Sequence, residues 1–332
     1  MRNILIAAFL LLTLAACNHH KSNNRPSASS AIDYSAVAIP QFNADSALSF
    51  VAAQLDFGFR IPSTPSHSSC AAYLRNTMGR FCDTAFIQEF STTLWTGQTV
   101  KGKNIIASLN PEAETRVLLA AHWDSRMWAD HDPDAANHHS PIMGANDGAS
   151  GVGALIEMAR VMSTMPPSVG VDFIFFDVED QGIAEWADKY EDNTWCKGSQ
   201  YWAQYPHRPY YRAVYGVLFD MVGTDKPRFT KEEVSRNFAP GITSKIWRAA
   251  AALGHGSIFV DQNTDAILDD HLYVNQMAHF PMVDIVQNST DCSFVSYWHT
   301  LEDTLDKINP NTLRIVAQVT MATIYGDYPH QQ

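Results

Sequence analysis

Short apolar runs alternate with amphipathic stretches along most of this chain, and three of the five runs stop at an acid or a histidine. Asn104–Leu109 reads as a first strand, and Val117–Ala121, Val171–Phe176, Ala213–Phe219 and Pro281–Val286, the second to fifth, are almost continuously apolar. A run of this kind keeps no polar face for water, so it suits a strand buried on both sides of a mostly parallel sheet. Between the runs, Gly148–Ser163 places Val152, Leu155, Ile156, Ala159 and Met162 on one helical face. Thr243–Leu253 does the same with Ile246, Trp247, Ala250 and Leu253. Asp45–Leu55 has helical spacing with Asp45 as its expected N-cap, and Asn309–Tyr325 closes the chain with Pro310 in the first turn. Strands alternating with helices predict an α/β three-layer sandwich, a mostly parallel central sheet flanked by helices. Ligands of such sheets bind beyond the carboxyl ends of the strands, where the acids of this chain fall.

The first residues stand outside that pattern. A charged start is followed by apolar Ile4–Ala16, too short to span a bilayer comfortably, and then by Cys17. This resembles a bacterial lipoprotein signal. The expected organisation is a signal peptide over 1–16, a flexible Ser- and Asn-rich tether over 17–33, and a single domain over 34–332. The chain would be an exported lipoprotein, on the periplasmic side or anchored to the outer membrane through Cys17. The net charge of -12 argues against nucleic acid and against adsorption on anionic lipid, so membrane contact rests on that anchor alone. Nothing in the sequence fixes an oligomeric state. Cys70, Cys82, Cys196 and Cys292 allow three pairings in an oxidising compartment, and Cys70–Cys82 is the preferred bridge because the two are near in sequence.

The chemistry gathers after the strands. His122 follows the second, with Asp124 placed to orient its ring. Alone, His122 reads equally as a hydrogen-bonded strand-end residue. Asp147 lies in Gly144–Gly151, where small residues let the backbone close around whatever it holds; the plainer reading is a helix cap. Glu179 and Asp180 end the third strand, and burying adjacent carboxylates needs a cation or a shared proton. Asp220 ends the fourth. Asp269-Asp270-His271 precedes the fifth, and Trp298-His299 follows it. Carboxylates and imidazoles delivered to one point are what a zinc ion needs.

In this order the residues resemble the zinc-dependent exopeptidase family that contains bacterial leucyl-type aminopeptidases and the glutaminyl cyclases. The resemblance implies metal-ligand positions at His122, Asp147, Asp180, Asp220 and His299, and a general base at Glu179. One branch binds two zinc ions through all five and hydrolyses N-terminal residues. The other binds one zinc through Asp147, Asp180 and His299 and converts N-terminal glutamine to pyroglutamate, with Glu179, Asp220 and Asp269 moving and holding protons. Trp298 before the last ligand, the Asp269-Asp270 pair and Trp186 as a pocket wall point to the cyclase branch. Asp147-Gly148-Ala149-Ser150-Gly151 is more aminopeptidase-like, and Asp180 stands where glutamate is usual. The expected activity is glutaminyl-peptide cyclotransfer on peptides or proteins with N-terminal glutamine; the alternative is a di-zinc aminopeptidase.

Overall fold

The computed structural model describes residues 32–331 apart from Tyr190, Thr290 and Cys292. The expected signal peptide, Cys17 and nearly all of the tether lie outside these residues, as does Cys292. From Asp33 onward the chain forms one unit. Its centre is a six-stranded sheet in the order β1-β2-β4-β3-β5-β8. The strands are β1 (Thr84–Thr93), β2 (Thr99–Leu109), β3 (Arg116–His122), β4 (Gly170–Phe176), β5 (Tyr215–Asp220) and β8 (Met282–Val286). The β4-β3-β5-β8 block is parallel, and the β1-β2 hairpin is added antiparallel at one edge.

The sequence explains why this block is dry on both faces. Val117, Leu119 and Ala121 of β3 join Val171, Phe173 and Phe175 of β4 in one core. The alternate residues Leu118, Ala120, Ile174 and Phe176 point the other way into a second core with Trp202 and Tyr211. The first face is covered by α1 (Ala44–Leu55), α2 (Pro65–Met78), α3 (Ala149–Thr164), α6 (Pro240–Ala252) and α8 (Pro310–Asp327). The opposite face is covered by α4 (Lys197–Gln204), by α7 (Asp270–Tyr273) and by the π turn that follows it. Between β5 and β8 the chain also forms the short parallel pair β6 (Phe229–Lys231) and β7 (Phe259–Asn263), with α5 (Glu233–Phe238) between them.

Three expectations change in detail. The cap of α1 is Asn43, whose side chain accepts from the Ser46 amide, and Asp45 sits in the first turn. The helix expected from Thr243 begins at Pro240, whose fixed φ suits a first turn. No Cys70–Cys82 bridge forms. Cys70 is buried on α2 and Cys82 is buried just after it, both are free, and burial pushes both thiols up to about 12. Such thiols are inert fillers of the core.

Candidate metal centre and pocket

The carboxyl ends of β3, β4 and β5 deliver His122, Glu179-Asp180 and Asp220 to one place, and the turn before α3 brings Asp147. His122 Nε2 lies 3.0 Å from Asp147 Oδ1 and 3.2 Å from Asp220 Oδ1. His299 Nε2 lies 3.0 Å from Asp180 Oδ1 and 3.4 Å from Asp147 Oδ2. Asp147 therefore turns one oxygen to each imidazole. In each trio, His122-Asp147-Asp220 and Asp147-Asp180-His299, the donor atoms lie within 4.8 Å of one another.

Behind each imidazole stands a second carboxylate. His122 Nδ1 is 3.6 Å from Asp124 Oδ1, and His299 Nδ1 is 3.4 Å from Asp130 Oδ1. Carboxylates so placed hold a ligating ring in one tautomer with Nε2 free for a metal. Asp124 also accepts the backbone N–H groups of Glu179 and Asp180, at 3.1 and 3.2 Å, so one side chain sets both the ring and the acidic turn. Arg126 Nε donates to Asp130 at 2.7 Å, and Nη1 of the same guanidinium donates to the Asp180 carbonyl. Asp303 accepts the N–H groups of Asn146 and Asp147, and Arg60 donates to the carbonyls of Trp123, Met143 and Gly144.

The backbone is bent to fit. Val178, Met221 and His299 have φ of 55, 48 and 54°, each at or beside a site residue. Left-handed non-glycine backbone costs about 1–3 kcal/mol, so the fold imposes these turns. Gly148 has φ of 95°, and a Cβ there would stand 2.6 Å from the Asp124 carbonyl oxygen. The small residues around Asp147 thus serve a close approach of two loops.

The charge balance fits a divalent cation. Asp147 Oδ2 and Asp180 Oδ2 are buried without hydrogen-bond partners. Burial and neighbouring Asp147 push the Asp180 carboxyl up to about 6. Burial disfavours a charged His299, yet Asp180, Asp130 and Asp147 outweigh it and raise the ring to about 10. Two carboxylates and an imidazole presenting unfilled O and N donors match zinc, which would take the place of that proton.

A cavity of about 340 Å³ opens onto these groups. Its lining includes Glu179, Asp269, Trp195, Met221, Phe294 and Trp298 beside the ligands. The Trp298 ring stacks on His299 at 3.8 Å, Phe294 meets Trp298 edge-on, and Trp195 lies nearly parallel to His299 at 5.9 Å. Trp186, the expected wall, does not line the cavity. It packs against Trp128, His138 and His139, and Trp195 supplies the wall. The reason is the irregular path between Gln181 and Cys196, which has no period from which a side chain's direction could be read. Glu179 is buried at the cavity floor and accepts from Cys196 Sγ at 3.2 Å. Burial, with Asp269, Asp180 and Asp270 nearby, raises its carboxyl well above the usual range despite His122. Burial and Asp220 lift Asp269 to about 7. Asp130, Asp303, Arg60 and Arg126 went unnoticed in the sequence, because supporting residues carry no spacing signal.

Residues 104–324 match the profile of peptidase family M28. A Zn-dependent exopeptidase from Parabacteroides distasonis is similar at 44% identity and a TM-score of 0.85, over 87% of this chain and 99% of that one. A Bacteroides thetaiotaomicron glutaminyl cyclase bound to N-acetylhistamine is similar at 45% identity over the same shares, with a TM-score of 0.85. A leucine aminopeptidase precursor from Bacteroides thetaiotaomicron has the same identity, coverage and TM-score. With the profile running from within β2 through the ligand positions into the last helix, the chain belongs to peptidase family M28.

Proposed function

We propose that the protein is a zinc-dependent glutaminyl-peptide cyclotransferase, closing the N-terminal glutamine of peptides or proteins into pyroglutamate and releasing ammonia. The observation that carries this reading is Asp269, a buried carboxylate that lines the cavity together with Glu179 and has an oxygen without a hydrogen-bond partner. A substrate side chain ending in a carboxamide offers it an N–H. A leucine side chain has no donor to offer it, and sites built for a polar group reject analogues lacking it.

Asp147, Asp180 and His299 would hold one zinc, whose Lewis acidity polarises the γ-carbonyl when it is bound. The α-amine of the same residue attacks the γ-carbon. A C–N bond forms, the bond to the amide nitrogen breaks, and ammonia leaves. Glu179 takes the proton released by the amine and returns it to the departing nitrogen, so its raised basicity serves both halves of the transfer. Asp269 accepts from that nitrogen, and Asp220 stands next to it in the same buried group. Trp195, Phe294 and Trp298 form an apolar wall that folds the side chain back on its own amine and keeps water from the carbonyl.

The other reading is a di-zinc aminopeptidase, favoured by Asp147 facing both trios. Incubation with a Gln-initiated peptide, followed by mass analysis, separates the two. Loss of one ammonia is expected; loss of the whole first residue would replace the proposal with the peptidase. The same proposal includes export and a lipid anchor on Cys17, which rest on the sequence of the first seventeen residues.

A further inference from the structure

Beside Asp269 lies a set of buried groups to which the reaction above gives no work. Asp284 sits in β8 at 1% exposure, and neither carboxyl oxygen has a hydrogen-bond partner. Asp269 accepts the Asp270 amide through Oδ1 at 2.5 Å, while Oδ2 has no partner. Donor atoms of Asp269, Asp284 and His271 lie within 4.8 Å of one another. His271 Nδ1 is 3.8 Å from Asp284 Oδ2, and its Nε2 is 3.2 Å from Glu232 Oε1. Glu232 is itself occupied in accepting the N–H groups of Val234 and Ser235.

Ionised carboxylates only accept hydrogen bonds. Two of them side by side in a dry interior repel and leave each other unsatisfied, whereas a single shared proton cures both faults. Position decides which acid keeps it. Asp269 already accepts the Asp270 amide, which favours its charged form, whereas neither oxygen of Asp284 receives a donor, so the proton belongs on Asp284; burial raises that carboxyl in the same sense.

We propose that Asp284 is the protonated member of a buried Asp269–Asp284 pair, donating its O–H to Asp269 and so fixing that carboxylate as the acceptor for the substrate's carboxamide N–H. Asp284 is thus a positioning residue. It acts through Asp269, its proton is not consumed, and the bonds made and broken are those of the ring closure. The inference rests on the cyclotransferase reading for its consequence, but the proton itself can be seen without substrate.

The test pairs Asp284→Asn with Asp284→Leu, and Asp284→Val serves if leucine disturbs the fold. Asn is neutral, nearly isosteric and still a donor; Leu and Val are neutral and cannot donate. On a zinc-loaded enzyme and a Gln-initiated peptide, Asp284→Asn keeps kcat within about threefold. The apolar variants lose about ten- to a hundredfold, the size of one hydrogen bond to a charged group. On the corresponding glutamyl γ-methyl ester, which has no amide N–H to receive, the apolar variants lose far less. A merely structural role would lower both substrates alike, and that result overturns the proposal. So does an apolar variant with full activity, or Asp284→Asn falling as far as Asp284→Leu. Infrared difference spectra of the protein alone, wild type minus Asp284→Asn, carry a protonated-carboxyl band at neutral pH; its absence overturns the pair whatever the substrate. A wild type that releases no ammonia would instead defeat the cyclotransferase reading, with the infrared result still deciding the pair.

Discussion

In the proposed reaction, Glu179 is the side chain on which turnover depends. Glu179→Gln keeps the shape but cannot carry a proton, so ammonia release should fall by about 10²–10⁴-fold while bound zinc is unchanged; paired activity and metal analysis check this. The aromatic wall gives a second contrast. Trp195→Ala should raise KM for Gln-initiated peptides about tenfold or more, and Trp186→Ala should leave it within about twofold, because only Trp195 lines the cavity. Steady-state kinetics on the two variants measure both. Away from the site, Glu232 is buried, and burial would raise its carboxyl, but His271 and Ser235 outweigh that and hold it at about 2. A carboxyl depressed on folding contributes stability that is complete above its ordinary value and is lost as pH falls through its folded value. Glu232→Gln should therefore flatten the acid-induced loss of stability between about pH 4.5 and 2. Melting temperatures across that range read it directly.

At the scale of elements, the centre is made by the turns leaving β3, β4 and β5 and by the chain entering α3; buried Asp124 pins the β4 turn, Asp303 the entry to α3, and Ser150 and Asn146 the turn after β5. Asp124 joins the first two through the Glu179 and Asp180 amides while facing His122. Asp130 stands behind His299, which ligates in either metal reading. Asp130→Asn should weaken zinc binding by about 10–100-fold, read by competition with a chelator. Gly148→Ala should destabilise the fold by roughly 1–3 kcal/mol, since it combines an unfavourable φ with a clash into the Asp124 carbonyl. The strands that feed these turns were legible because Val117–Ala121 and Val171–Phe176 are dry on both faces, and dryness shows in composition. The α3 stripe from Val152 to Met162 was legible for the same reason. The β1 edge was not, because Thr84–Thr93 is mostly exposed and polar. Of the site, the strand-end acids could be read from where apolar runs stop, and His299 from its place after Trp298 in the family-like order of residues. Trp195, Asp130 and Asp303 could not, since they arrive from irregular segments whose direction is set only by tertiary packing.

Over the whole molecule, a parallel block closed on one edge by a hairpin and covered on both faces leaves its strand ends as the place where charged groups can be gathered. The cost of burying so many acids there is the strongest general reason to expect a cation. Outside the described residues, the lipoprotein proposal predicts that Cys17→Ala moves the protein from the membrane fraction to the soluble one on cell fractionation. The decisive measurement is anomalous X-ray scattering at the zinc edge from crystals of the protein grown with zinc. One strong peak bounded by Asp147, Asp180 and His299, and lost in Asp147→Ala, is the expected result. No peak among these three side chains, or a peak that survives that substitution, would contradict the metal-centred chemistry.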